Sequence, residues 1–380
     1  MIPYSTQDIN GSDIRAVVRV LRSGWLTQGP AVVKFEKAIA EKVGVRFAVA
    51  FNSGTAALHA AYFAAGVGGG DEVIVSALSF AATANAALYL NAKPIFVDSD
   101  IVTGNMSVAD AIKKITNKTK AIVPVDYAGR PVDLRAFRLL ARKHGITLIE
   151  DAAQALGSKY GGKLVGVQAD MTMFSFHPVK SITTGEGGVI VTDNQKFDKA
   201  MRLFRSHGIS RDVKTFSRKN NGEWYQEMKE LGFNYRMPEM SAALGWSQLK
   251  RLDSFILKRQ LAADRYRKLF AGVSNIIIPP VEGIYEKSAW HLYPVRLSPS
   301  IANRRDEVFA KMRKAGIGVQ VHHLPIYRHL YYERLGYKKG SCPNAEEFVA
   351  SEISIPLFPK ITFQQQKFIS VTLKNIIASL

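Results

Sequence analysis

The chain has 380 residues, 47% hydrophobic and 22% charged, a balance that excludes wholesale disorder and leaves room for a core able to enclose a cofactor. Its 51 Lys and Arg against 32 Asp and Glu give a net charge of +19, yet no tract of five or six cations gathers. With no helix-turn-helix or RNA-binding signature, that charge reads as a field for small anions, a phosphorylated substrate among them, ahead of nucleic acid.

A lone cysteine, Cys342, excludes an intramolecular disulfide framework and any cysteine-cluster metal site. No apolar run reaches the roughly 18 to 20 residues of a membrane span, and Met1-Ile2-Pro3-Tyr4-Ser5 has no signal-peptide pattern. A soluble cytoplasmic protein with no membrane partner is expected. The length suits two domains.

In chain order, Ser12–Ser23 and Val32–Val43 carry the i, i+3, i+4, i+7 apolar spacing of amphipathic helices, joined by the loop Gly24-Trp25-Leu26-Thr27-Gln28-Gly29-Pro30. From Phe47 onward, short apolar runs alternate with helical stretches. The runs are Ala48–Phe51, Glu72–Val75, Pro94–Val97, Ala121–Val125, Thr147–Ile149, Met171–Phe176 and Val189–Val191. That alternation predicts a mostly parallel sheet covered on both faces, with chemistry just past the carboxyl ends of strands.

Ser210–Lys229 is a polar excursion with a turn at Arg218-Lys219-Asn220-Asn221-Gly222, and Pro238–Lys268 reads as a long, broken helix. Strands near Trp290–Leu297 and Gly318–His322 follow. The expected division is residues 1–251 as an N-terminal segment with the large domain, and 252–380 as a small C-terminal domain.

Three segments carry chemistry. Leu148-Ile149-Glu150-Asp151-Ala152-Ala153-Gln154 is a strand ending in acids, where Asp151 alone would read as a helix cap. Phe174 to Gly188 is a strand, a Pro-punctuated loop bearing Lys180, and a Gly-rich turn. Alone, Lys180 would read as a surface lysine; its place 29 residues after a strand-end aspartate argues otherwise. Phe51-Asn52-Ser53-Gly54-Thr55 runs from a strand into an Ala-rich helix whose free N–H groups suit an anion.

Pyridoxal 5'-phosphate (PLP) needs these parts together: a lysine, a carboxylate for the pyridine nitrogen, a helix start for the phosphate and an aromatic ring against the cofactor. Phe80, just past the strand ending at Val75, is the candidate ring, although an isolated Phe is by default a core side chain.

The chain resembles the sugar aminotransferases of the DegT/DnrJ/EryC1/StrS family. The resemblance lies in Asn52-Ser53-Gly54-Thr55, Phe80, Glu150-Asp151-Ala152-Ala153-Gln154, Ser175 five residues before Lys180, Gly185-Glu186-Gly187-Gly188, Gly232-Phe233-Asn234-Tyr235-Arg236-Met237 and Ala242-Ala243-Leu244-Gly245. It implies a fold-type I PLP-dependent transferase: an α/β large domain with a mostly parallel seven-stranded sheet, a smaller C-terminal α/β domain, and homodimers.

Tyr4-Ser5, Leu26-Thr27-Gln28-Gly29, Asp126-Tyr127-Ala128-Gly129, Leu203 to Gly208 and Gln320-Val321-His322 are similar to the branch serving pseudaminic acid biosynthesis. That branch aminates C4 of a UDP-4-keto-6-deoxy-N-acetylhexosamine, with L-glutamate as the expected donor. Other UDP- or dTDP-4-keto sugars are the alternative. A same-fold sugar dehydratase is disfavoured because those enzymes carry histidine where Lys180 stands, and a non-catalytic regulator would need a DNA-binding appendage.

The resemblance further implies roles. Lys180 would bind the cofactor covalently and move protons, and Asp151 would pair with the ring nitrogen. Gln154 would lie near the ring hydroxyl and Phe80 would stack on the ring. Ser53, Gly54, Thr55, Ser175 and the partner subunit's Asn234 would hold the phosphate. Tyr4, Leu26, Thr27, Gln28, Gly29, Val321, His322, His323 and Leu324 would contact the UDP-sugar. His323 departs from the tyrosine frequent in that branch, and His177 reads as a packed or loop histidine.

Overall fold

The computed structural model describes residues 1–218 and 222–380. Asn10 closes a capping box with Asp13 at the start of α1 (Gly11–Leu21), and α2 (Pro30–Val43) opens on proline and ends at left-handed Gly44. The alternation then unfolds as β1 (Phe47–Phe51), α3 (Gly54–Ala64), β2 (Glu72–Ser76), α4 (Ala82–Leu88), β3 (Lys93–Val97), α5 (Val108–Lys114) and β4 (Thr119–Val123). It continues with α6 (Leu134–His144), β5 (Thr147–Asp151), the short β6 (Lys159–Tyr160) and β7 (Lys163–Leu164), β8 (Met171–Ser175), β9 (Gly188–Thr192) and α7 (Gln195–Arg205).

Seven of these strands form one sheet in the order β1-β9-β8-β5-β4-β2-β3. Pairs from β3 to β8 are parallel, whereas β9 runs antiparallel to both β8 and β1. The mostly parallel seven-stranded sheet is therefore present. Its central strands are buried along nearly their whole length because helices cover both faces, which is why they read as continuous apolar runs.

The polar excursion forms a two-residue ladder, β10 (Ile209–Ser210) with β11 (Glu227–Met228). The expected turn at 218–222 includes Lys219, Asn220 and Asn221, which lie outside the described residues. The long helix is broken, as expected, into α8 (Glu239–Leu249) and α9 (Leu252–Leu269).

The C-terminal part adds β12 (Ile276–Ile277), β13 (Glu286–Lys287), β14 (Tyr293–Leu297), α10 (Arg305–Lys314), α11 (Leu330–Arg334), α12 (Pro343–Ser351), β15 (Glu352–Ile355) and α13 (Phe363–Ala378). Strands β12-β14-β15 form a second, antiparallel sheet, and β13 joins β6 and β7 in a third.

One expected strand is not formed. Residues 318–322 make only an isolated bridge, Gln320 to Ser354, because His322 N–H turns to the Glu352 carboxylate and ends the ladder. The N-terminal residues fill in alongside: Ile2 pairs with Ile317, and Tyr4 O accepts from Leu357 N. Helix α9 contributes Phe255 to the large-sheet core and Ala262, Ala263 and Tyr266 to the second core. The stretch from Ile326 to Val349 folds back onto the large sheet.

Candidate active site

The carboxyl ends of β5 and β8 bring the central acid and base together. Asp151, the last residue of β5, is 3% exposed. No helix starts after it, so the cap reading fails; instead Oδ2 accepts a 2.6 Å bond from Thr83 Oγ1, and Oδ1 accepts from Ala153 N at 3.2 Å. Ser79 Oγ lies 2.8 Å from Thr83 Oγ1, completing a buried chain into the carboxylate. Burial pushes the Asp151 carboxyl up, while Thr83, Ala153 and the positive charge of Lys180 pull it down.

Lys180 lies in the loop after β8, its N–H bonded to His177 O at 2.9 Å. Desolvation brings its amine down to about 8, the Arg259 guanidinium pushes the same way, and Asp151 opposes both. The same lysine charge depresses His291, His322 and His323, with His322 at about 3 and His323 at about 4, burial being the larger cause in each. Lys180 and Asp151 thus share one electrostatic environment ringed by neutral imidazoles.

Beside this pair, β1 passes into α3. Ser53 caps the helix, its hydroxyl accepting from Ala56 N at 3.1 Å. The N–H groups of Gly54 and Thr55 have no acceptor among the described residues, the orphan donors that an anion would satisfy. The wall behind them is built of small residues. A Cβ on Gly54 would stand 3.3 Å from Ser175 Cβ, and one on Gly188 would stand 2.6 Å from Ser53 O. Asn234 is exposed, and its carbonyl accepts from Asn52 Nδ2 at 3.5 Å, placing it next to this turn within its own chain.

Phe80 is 62% exposed, no core residue, and meets His323 edge-on at 5.9 Å. Tyr4 and His322 rings lie 5.5 Å apart, so Tyr4, Phe80 and the Val321–Leu324 segment form one rim with Lys180 below it. Gln154 Oε1 accepts from Ala128 N at 2.7 Å, an anchor in the turn after β4.

His177, read as a packed or loop histidine, is exposed in its loop, and one expected contact does not join this cluster. The Leu26–Gly29 loop is pinned to α8, where Leu26 O accepts from Glu239 N and the Glu239 carboxylate takes Ala31 and Val32 N–H. Its Gln28 instead lines a separate cavity of about 670 Å³ with Arg202, His207, Lys229 and Arg236.

Sequence reasoning missed Thr83 and Arg259. Thr83 stands three residues after Phe80, but its bond to Asp151 spans 68 positions. Arg259, in the middle of α9, reads as a surface cation; it is 1% exposed and donates to the carbonyls of Trp290, His291, Leu357 and, at 3.4 Å, Val179 beside Lys180.

The model of the DegT/DnrJ/EryC1/StrS aminotransferase family matches residues 7–374. The chain belongs to this family. It is 40% identical over 379 residues to the UDP-4-amino-4,6-dideoxy-N-acetyl-beta-L-altrosamine transaminase of Campylobacter jejuni, covering 99% of this chain and 98% of the relative. Among solved structures it is similar to Helicobacter pylori PseC, an aminotransferase involved in the biosynthesis of pseudoaminic acid. That match has a TM-score of 0.92, 34% identity and full coverage of both chains. It is also similar to Spr1654 of Streptococcus pneumoniae, solved in a PLP form, with a TM-score of 0.93, 32% identity and coverage of 100% and 99%.

The cofactor of this fold-type I aminotransferase is PLP, and the chain's residues fit it. A buried carboxylate is coupled to a lysine of lowered pKa, and two unpaired amides open onto a cradle that a side chain would fill.

Proposed function

We propose that this aminotransferase moves an amino group from L-glutamate to C4 of a UDP-4-keto-6-deoxy-N-acetylhexosamine, as a cytoplasmic homodimer serving pseudaminic acid biosynthesis. The observation that carries the reading is the buried Asp151 coupled to Lys180 beneath the open rim of Tyr4, Phe80 and His323. The choice of sugar follows the Campylobacter relative named above.

When bound, PLP supplies an electron sink for the carbon that carries the amine. The chain supplies the rest. Lys180 Nζ would attach the cofactor and would take and return the proton; at about 8, against an ordinary value near 10.4, on the order of a tenth of it is neutral at pH 7. Asp151, whose carboxylate accepts from Thr83 and Ala153, would hold a proton on the ring nitrogen. Gln154 would lie near the ring hydroxyl and Phe80 would stack on the ring. Gly54 and Thr55 amides, with Ser53, Ser175 and the partner subunit's Asn234, would hold the phosphate. Tyr4 and Val321–Leu324 would contact the nucleotide sugar, with the Leu26–Gly29 loop, held to α8 in its own chain, as a further contact.

The test is a panel of UDP- and dTDP-linked 4-keto-6-deoxy sugars offered with L-glutamate. Turnover of the UDP-linked N-acetyl sugars is expected. Turnover confined to dTDP sugars overturns the substrate assignment.

A further inference from the structure

His322 connects the rim of the site to a buried carboxyl group on the second sheet. Its Nδ1 lies 2.9 Å from Ser354 Oγ, which lies 2.5 Å from Glu352 Oε1, while His322 N donates to Glu352 Oε2 at 3.0 Å. Glu352 and Ser354, two apart on β15, point to the same face and are 0% and 1% exposed. The second ring nitrogen, Nε2, has no hydrogen-bond partner among the described residues, on a half-buried ring 5.5 Å from Tyr4 and 4.8 Å from His323.

Among the described residues, the charged and titratable groups around Glu352 leave it without a bonded cation. Arg305 of α10 acts on it only at a distance. Arg296, opposite it on β14, lies over the Phe348 ring. Tyr127 gives its phenol proton to His322 O at 2.5 Å and is held neutral by burial.

A carboxyl group cut off from water and from a bonded cation keeps its proton; burial pushes Glu352 up to about 8. With that proton on Oε1, Glu352 donates to Ser354 Oγ, and Ser354 gives its own proton to His322 Nδ1. The imidazole proton then sits on Nε2. When Glu352 ionises, every bond in the chain reverses: Ser354 donates to Oε1, Nδ1–H donates to Ser354, and Nε2 is left with a lone pair. One proton is lost in all; it departs from Nε2, while the others each shift by one bond. His322 stays neutral throughout, since its own pKa lies at about 3.

We infer that the Glu352–Ser354–His322 relay sets the hydrogen-bonding polarity of His322 Nε2 toward the sugar: a donor to a substrate oxygen while Glu352 is protonated, an acceptor once it is not. Glu352 and Ser354 are thus positioning residues for a specificity contact made by His322. The ligand in this statement rests on the keto-sugar reading; the relay itself does not.

The test is nitrogen-15 NMR of histidine-labelled holoenzyme across pH, with His322→Gln assigning the signal, beside KM and kcat for the UDP-4-keto sugar. In the wild type the ring is expected to carry its proton on Nε2 on the acid side of the Glu352 midpoint and on Nδ1 on the alkaline side. KM rises through the same midpoint, while kcat follows Lys180 alike in the wild type and in Glu352→Gln. Glu352→Gln, whose amide donates to Ser354 at every pH, keeps Nε2–H and flattens KM; Ser354→Ala abolishes the step, with thermal unfolding confirming that the fold is retained. An Nδ1–H ring on the acid side, or a step that survives Glu352→Gln, overturns the relay. A tautomer step without turnover of any keto sugar upholds the relay and removes the substrate reading.

Discussion

Thr83→Val isolates the bond that keeps Asp151 charged. The substitution preserves shape at a side chain only 1% exposed, and it removes the 2.6 Å donor to Asp151 Oδ2. The Ser79 hydroxyl, 2.8 Å from Thr83 Oγ1, loses its neighbour too. A hydrogen bond to a buried charged group is worth about 1.5–3 kcal/mol, so the carboxylate loses roughly one to two pK units of support. Ala153 N and Lys180 remain on the opposing side of the balance. The sign is definite: burial already pushes Asp151 up, and deleting a bond that favours the ionised form pushes it further. PLP affinity, read by equilibrium dialysis against cofactor absorbance, should weaken about ten- to hundredfold. The acid limb of kcat should move to higher pH by about one to two units. Unchanged affinity together with an unmoved limb would refute the assignment of Asp151 as the partner of the ring nitrogen.

Lys180→Ala should remove the visible absorbance of the cofactor-bound enzyme and all transamination without lowering the thermal midpoint, since it deletes a desolvated amine; a retained band points to another lysine. In apoenzyme, labelling of Lys180 by an amine reagent should be slow below and fast above about pH 8, because only the neutral amine reacts, and mass spectrometry of the labelled peptide reads the midpoint. Arg259→Gln withdraws a positive charge that favours the neutral amine, so that midpoint should rise, a shift peptide mapping would detect. Gly188→Ala places a Cβ 2.6 Å from Ser53 O, a backbone atom that cannot swing away. Overpacking of this kind costs about 1–3 kcal/mol in denaturant unfolding, and phosphate affinity should fall with it.

The large sheet was legible because its strands are buried on both faces, and unbroken apolar runs survive any detail of packing. The run starting at Ala48 gains only Phe47 and that at Pro94 only Lys93. The apolar run Thr147–Ile149 stops short of the strand's end because Glu150 and Asp151 look like the start of a loop. They remain in β5, Glu150 fully buried with its carboxylate accepting from Thr172 Oγ1 at 2.9 Å. Local pattern reading takes charge for surface, and at this site charge is interior. The same habit hid Glu352 at the head of β15 and Arg259 inside α9. Lys180, Asp151 and the Ser53–Thr55 turn were legible because each lies at a strand end or in the loop that follows one, whereas Thr83 was not, its purpose being fixed by a partner far along the chain.

The turn at Tyr127–Gly129 shows why the two cores meet at a built site instead of a hinge. Ala128 N orients Gln154, and Ala128 O accepts from His291 N at 2.9 Å, the segment that leads into β14. Gly129 O accepts from Ser158 Oγ at 2.7 Å, and Tyr127 holds His322 by its carbonyl. Gly129 is left-handed at φ +90°, and a Cβ there would stand 2.8 Å from Gln154 O, so only glycine lets the three backbones converge. Four side chains of the proposed mechanism therefore depend on one turn: Gln154 and His322 directly, Asp151 through its carbonyl bond from Asp126 N at 3.1 Å, and Lys180 through the His291 and Arg259 that border it. A substitution there would shift cofactor and sugar contacts together, which separates this turn from the rim residues, where the two can be altered one at a time.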